Sequence, residues 1–141
     1  MSEAAYSPVI LEALKQDILA SLHCALPGIV EGFDAETQTV SVRPALRSRA
    51  GSDAGSNIVP MPLLKDVPVF LPGPKAATAS WEISPGDECL LIFADACIDG
   101  WFETGSATLP PSGRRHDLSD AFAFVGFRSR PRAAAWNQDE T

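Results

Sequence analysis

Near the start of the chain apolar residues recur every fourth position, and beyond residue 28 they recur every second one. Ile10, Leu14, Ile18 and Leu22 set the first period, flanked by Leu11 and Leu19, with Glu12, Lys15, Gln16 and Ser21 between them. Side chains four apart stack on one face of a helix. Ser7 suits an N-cap, and Pro8 suits the first helical position, where its missing N–H costs nothing. Pro27 disfavours helical geometry in the residue before it, so the predicted helix, Pro8–His23, ends ahead of Pro27-Gly28. Such a helix, about fifteen residues long, is unstable alone in water, and its stripe asks for a partner surface.

The second period predicts strands. Ile29–Phe33 reads as the first, and Asp34-Ala-Glu-Thr as a tight turn. Thr39–Arg43 alternates, placing Val40, Val42 and Leu46 on one face. Ser48–Asn57 holds no apolar anchor and predicts an exposed, mobile loop. Leu63–Leu71 is a third strand with Val67, Val69 and Leu71 on one side. Its Pro68 implies an edge or a bulge. A loop, Pro72–Ser80, leads to Trp81-Glu82-Ile83 and a type II turn at Pro85-Gly86.

Cys89–Ala94 is apolar without a break, as in a strand buried on both faces. Asp95–Gly105 predicts one or two helical turns, capped by Asp95 and closed by Gly105. Pro110-Pro111 is extended. The last strand is Ala121–Arg128, with Phe122, Phe124 and Phe127, and the residues after Ser129 read as a tail.

Five short strands with long connections predict a mainly β fold: a small five-stranded OB-type barrel preceded by an N-terminal amphipathic helix. The Pro-, Gly- and Ala-rich stretch Leu71–Ser80 leaves no room for the helix usual between the third and fourth strands. The chain divides into an assembly helix (1–24), a barrel domain (25–128) and a C-terminal tail (129–141).

Composition narrows the function. The 141 residues suffice for one domain, and 12 prolines with 10 glycines suit short strands and turns. Eighteen acids against eleven bases give a net charge of −7, which repels a phosphate backbone. Two weak arginine clusters, Arg43, Arg47 and Arg49, then Arg114, Arg115, Arg128, Arg130 and Arg132, lack the interleaved aromatics of a nucleic-acid groove. Cys24, Cys89 and Cys97 form no CxxC pair, and Cys89 and Cys97 sit in apolar surroundings as reduced thiols do. No export signal is visible and no apolar run approaches a membrane span, so the chain is expected to be made and folded in a reducing cytoplasm.

Candidate chemistry is thin. His23 and His116 lack metal-site spacing, so no metal and no cofactor are expected. His116, Asp117, Ser119 and Asp120 gather a histidine, acids and a hydroxyl, yet no nucleophile elbow accompanies them. Turn bonds ahead of the last strand explain them better. Glu31, Asp34, Glu36, Asp87 and Glu88 lie in turn contexts, not in a glycosidase cleft. No catalytic residue is assigned. Trp101 is either an anchor over one barrel end or a hot spot against a partner, and Trp136 is a second candidate anchor.

Several blocks carry a resemblance. They are Ala25-Leu-Pro-Gly-Ile-Val, Gln38-Thr-Val-Ser-Val-Arg-Pro-Ala, Pro62-Leu-Leu-Lys-Asp-Val-Pro-Val, Ile83-Ser-Pro-Gly-Asp-Glu-Cys-Leu-Leu-Ile-Phe, Cys97-Ile-Asp-Gly-Trp and Arg115-His-Asp-Leu-Ser-Asp-Ala-Phe-Ala. Together they resemble the N-terminal OB domain of the membrane-puncturing central spike proteins of contractile-tailed bacteriophages, in order from Leu22 to Arg128. The resemblance implies an OB-fold, a homotrimer on the tail axis, and a virion location in the baseplate beside the tail hub or tube-end proteins. It implies architectural roles for Cys97, Asp99, Gly100, Trp101, His116, Asp117, Ser119, Asp120 and Phe122. Ile10, Leu14, Ile18, Leu22, Trp101 and Trp136 are the expected assembly contacts. Longer members continue into a triple-stranded β-helix with a metal-binding tip, which Ser129–Thr141 cannot build. A hub-to-spike adaptor with a separate tip protein and only indirect membrane contact is therefore expected. An OB-type nucleic-acid binder and a baseplate cell-wall hydrolase are the alternatives, the first opposed by charge and the second by the lack of a catalytic pair.

Overall fold

Alternation builds the sheet in the computed structural model, which describes residues 7–50 and 57–135. The described strands are β1 (Ala25–Asp34), β2 (Thr39–Pro44), β3 (Arg47–Ala50), β4 (Asn57–Pro60), β5 (Leu64–Pro68), β6 (Glu88–Phe93) and β7 (Ala121–Val125). The helices are α1 (Pro8–Ser21) and α2 (Asp99–Thr104). Contacts separate two units. One joins residues up to Cys24 with Phe93–Asp120, and the other joins Ala25–Ile92 with residues from Ala121 onward.

The second unit holds the sheet. Its order is β5-β2-β1-β6-β7, with β1 antiparallel to both β2 and β6, and β2 antiparallel to β5. The sheet curls into a half-barrel of OB type. Its edges are tied where Val69 bridges Ala123 in parallel and the Phe70 N–H donates to the Ala123 carbonyl at 2.9 Å. Val30, Val40, Val42, Cys89, Leu91 and Ala123 fill the interior. Gly28 explains itself by crowding: a Cβ there would lie 2.5 Å from Val42 Cγ1 and 3.0 Å from Leu91 Cδ1. Only glycine fits so close to two buried side chains. Pro68 ends an edge strand, as its missing N–H requires. At the turn after Ile83, the Asp87 N–H bonds the Ser84 carbonyl at 3.1 Å, and Gly86 takes φ 98°.

The structure corrects several expectations. α1 ends at Ser21, two residues early, and β1 begins at Ala25, before Ile29. Pro27 does not break it because pairing with β2 starts only at Gly28. Leu46 is exposed because β2 stops at Pro44 and the alternation stops with it. The ends of the expected Ser48–Asn57 loop belong to a ribbon in which β3 pairs β4 from Arg47↔Pro60 to Ala50↔Asn57. Residues 51–56 lie outside the described residues. The strand from Leu63 is shorter than expected, and Leu71 is only half-buried beyond it.

β6 is not buried on both faces. Cys89, Leu91 and Phe93 are buried, Leu90 is half-buried and Ile92 is exposed, because an antiparallel sheet can cover one face only. α2 is capped by Ile98 and not by Asp95, whose carboxylate faces Arg115 instead. Gly105 does close it, at φ 70°, with its N–H on the Trp101 carbonyl at 2.7 Å. β7 stops at Val125 because Gly126 turns to φ 125°, leaving Phe127 exposed. After Ser129 the chain makes a 3-10 turn, Arg130–Arg132, and Ser129 and Arg132 are both held by Glu88.

Candidate functional site

α1 forms for local reasons. Ser7 Oγ accepts the Ile10 N–H at 3.2 Å, Pro8 opens the first turn, and the Gln16 amide donates to Glu12 one turn earlier. No α1 residue is buried. Ile10, Leu14, Ile18 and Leu22 are all exposed, and Val9, Leu11 and Leu19 widen the apolar surface beyond one stripe. Covering each of these side chains would contribute about 1.5–3 kcal/mol. The helix is held at its C-terminal end. The His23 N–H donates to the His116 carbonyl at 3.0 Å, His116 Nδ1 lies 3.2 Å from the His23 carbonyl, and the His23 ring meets Phe93. Cys24 accepts the Phe93 N–H at 3.0 Å.

Beyond that junction the chain builds a charged node. Asp120 is fully buried, and its carboxylate takes the Ile98 N–H at 3.1 Å. Arg114 supplies the countercharge, with Nε 3.0 Å from Asp120 Oδ2 and Nη2 2.9 Å from Oδ1. Nη2 also donates to Cys97 Sγ at 3.0 Å and to Asp99 Oδ2 at 3.1 Å. Burial pushes the Asp120 carboxyl up, but the bonds from Arg114 and Ile98 outweigh it and hold it below the ordinary carboxylate value. The hydrogen bonds that Arg114 donates to Asp120 and Asp99 raise it further above its usual value. The ligand atoms of Cys97, Asp99 and Asp120 lie within 4.8 Å of one another, the spacing of a cation site. The guanidinium supplies the positive charge to all three.

The remaining motif residues shape the surroundings. A Cβ on Gly100 would collide with the Thr108 side chain, so any larger residue there would force that side chain to move. Asp117 Oδ1 accepts the Ser119 N–H at 2.8 Å, a side-chain turn bond expected from sequence, and the Asp117 carbonyl accepts the Asp120 N–H at 3.0 Å. The Asp120 carboxylate departs from that expectation: burial commits it to Arg114 and the Ile98 N–H instead of to its own turn. His116 sits at φ 45°, with Nε2 3.5 Å from Asp95. Trp101 is partly exposed, next to the similarly exposed Phe102, and Phe122 is half-buried in β7. Trp136 lies outside the described residues. Arg114 was not a candidate from sequence, because its partners are 6, 15 and 17 positions away and only the fold selects them.

Of the clustered arginines, Arg43, Arg114, Arg115 and Arg132 are paired with carboxylates. Arg43 Nε lies 2.6 Å from Glu31, and Arg115 lies 3.3 Å from Asp95. Arg132 lies 3.3 Å from Glu88, whose carboxylate also accepts the Ser129 hydroxyl at 2.8 Å and its N–H. The Ser129 hydroxyl, then its N–H, hold Glu88 below its ordinary value. Such pairing leaves these arginines less free for phosphates.

A family described as phage protein Gp138 N-terminal domain matches residues 26–126. The matched span runs through all seven described strands, α2 and the Arg114 node, and leaves α1 outside. No curated protein matches the chain. The chain belongs to the phage protein Gp138 N-terminal domain family.

Proposed function

We propose that this chain, a member of the phage Gp138 N-terminal domain family, is a structural component of the virion. In this reading it sits in the baseplate of a contractile tail as a central-spike or hub-to-spike OB module. There it takes part in penetration of the cell envelope without catalysis.

One observation carries the assembly part. α1 carries six exposed large apolar side chains, its C-cap Leu22 adds a seventh, and no α1 residue is buried. A soluble chain rarely leaves such a contiguous apolar surface uncovered. Copies of α1 packed on one another, with a hub protein alongside, would cover it, and a stable interface needs about 1,000 Å² or more. The likeness of the motif blocks to spike OB domains favours three copies. The Arg114 node supports an architectural role for the motif residues, since Cys97, Asp99 and Asp120 spend their polar atoms on one guanidinium.

A density map of assembled phage tails tests this. Three copies of the barrel around the tail axis, with their helices against a hub protein, are the expected result. The same map shows whether a different polypeptide forms the tip. Tails that lack the chain would refute the reading.

A further inference from the structure

An open groove of about 440 Å³ runs between the segment at Trp81 and the end of β7. It shares no residue with α1 or with the Arg114 node. Trp81 and Phe127 present aromatic surface to solvent at its rim, 47% and 58% exposed. Glu82 and Asp87 add two carboxylates, and Arg128 adds a guanidinium whose Nη1 donates to the Arg132 carbonyl at 3.4 Å. The Glu88–Arg132 ion pair, fastened by Ser129, also lines the groove. Asp87 is oriented by the Ser84 N–H on its Oδ2 at 2.9 Å. Gly86 and Gly126 leave the lining backbone bare, and a Cβ on either would meet open space.

We propose that this groove binds a saccharide chain. A pyranose ring offers apolar C–H faces that stack on flat aromatic surface, and paired hydroxyls that bond a carboxylate or a guanidinium at two points. Trp81 and Phe127 supply the first need, and Glu82, Asp87 and Arg128 the second. The volume lies within the range of small-ligand sites and leaves room for a short oligosaccharide.

Other occupants fit less well. A polyanion meets three carboxylates here, and Arg132 is already paired with Glu88. A peptide adding as a strand needs free backbone groups. The Gly86 N–H is spent on the Val30 carbonyl and the Gly126 N–H on the Glu88 carbonyl, both at the groove.

The test uses the full chain against soluble oligosaccharides of neutral hexose, N-acetylhexosamine, deoxyhexose and acidic types, read by calorimetry and by the NMR signal of the Trp81 indole. At least one saccharide should bind and shift that signal. Trp81→Ala and Phe127→Ala should each weaken it about tenfold. Leu46→Ala, an exposed apolar change outside the groove, should leave binding unchanged. Both aromatic positions are exposed, so the variants should keep the wild-type melting temperature. Failure of every saccharide overturns the proposal, as does binding indifferent to both aromatic substitutions. So does a synthetic Trp136–Thr141 peptide that shifts the Trp81 signal where sugars do not. None of these outcomes depends on oligomeric state, so the groove and the assembly reading stand or fall separately.

Discussion

The barrel and the N-terminal helix draw on the same residue types and treat them oppositely. Val30, Val40, Val42 and Leu91 are exposed by 1% or less, whereas Ile10, Leu14 and Ile18 stay more than half exposed. A curled sheet supplies its own second wall, so alternation alone is enough to bury one face. A lone helix has no such wall. Its apolar side chains stay in solvent within the chain. Apolar periodicity therefore says that a face is made to be covered, and burial within the chain says whether the chain covers it.

Substitutions in the barrel should damage folding, and those in the helix should not. Leu91→Ala should cost about 2–5 kcal/mol in denaturant unfolding, because a cavity would remain where no solvent reaches. A cost under about 1 kcal/mol would mean the interior is loosely packed.

Asp120→Ala should cost about 3 kcal/mol, since it strips Arg114 and the Ile98 N–H of their partner at the node. The node also sets a pH dependence. Asp120 and Glu88 have folded values below their unfolded ones, so both contribute stability at neutral pH. That contribution is lost as pH falls below about 4 and through the lowered values. Unfolding curves from pH 7 to pH 2 should show the decline, and Asp120→Asn should flatten it. A stability that rises on acidification would contradict the ion-pair account.

At the helix the expected folding effect nearly vanishes. Ile18→Asp should change the unfolding free energy of an isolated chain by no more than about 0.5 kcal/mol, because the site is already solvated. Assembly should fail in the same variant. A large loss of stability in the monomer would place the helix against its own chain.

The thiols give the smallest effect and the finest contrast. Cys24 is exposed, whereas Cys89 and Cys97 are buried, and burial pushes the Cys89 thiol up to about 11. Iodoacetamide at pH 8 should label the folded chain once, at Cys24, and three times after unfolding. Fast labelling of Cys89 in the folded chain would show that the sheet opens.

How much of this was legible in the sequence varies by element. α1, the Val40–Val42 alternation, the Pro85-Gly86 turn and the edge position signalled by Pro68 could be read because each rests on local geometry. β6 misled because an unbroken apolar run looks the same whether one face or both are covered. The β3–β4 ribbon was hidden, since its pairing buries too little to leave an apolar pattern, as exposed Ile58 shows. The motif blocks marked Cys97, Asp99 and Asp120 but not the arginine that joins them. Arg114 looked like one basic residue among several until the fold brought its three partners to one guanidinium.

The proposal on which the assembly reading turns is that copies of this chain pack on one another through α1. Light scattering of the purified full chain at micromolar concentration measures it directly. The account predicts a single species of three times the 15.0 kDa chain mass, reduced to one chain mass by Ile18→Asp. A stable 15.0 kDa monomer of the unaltered chain would contradict it.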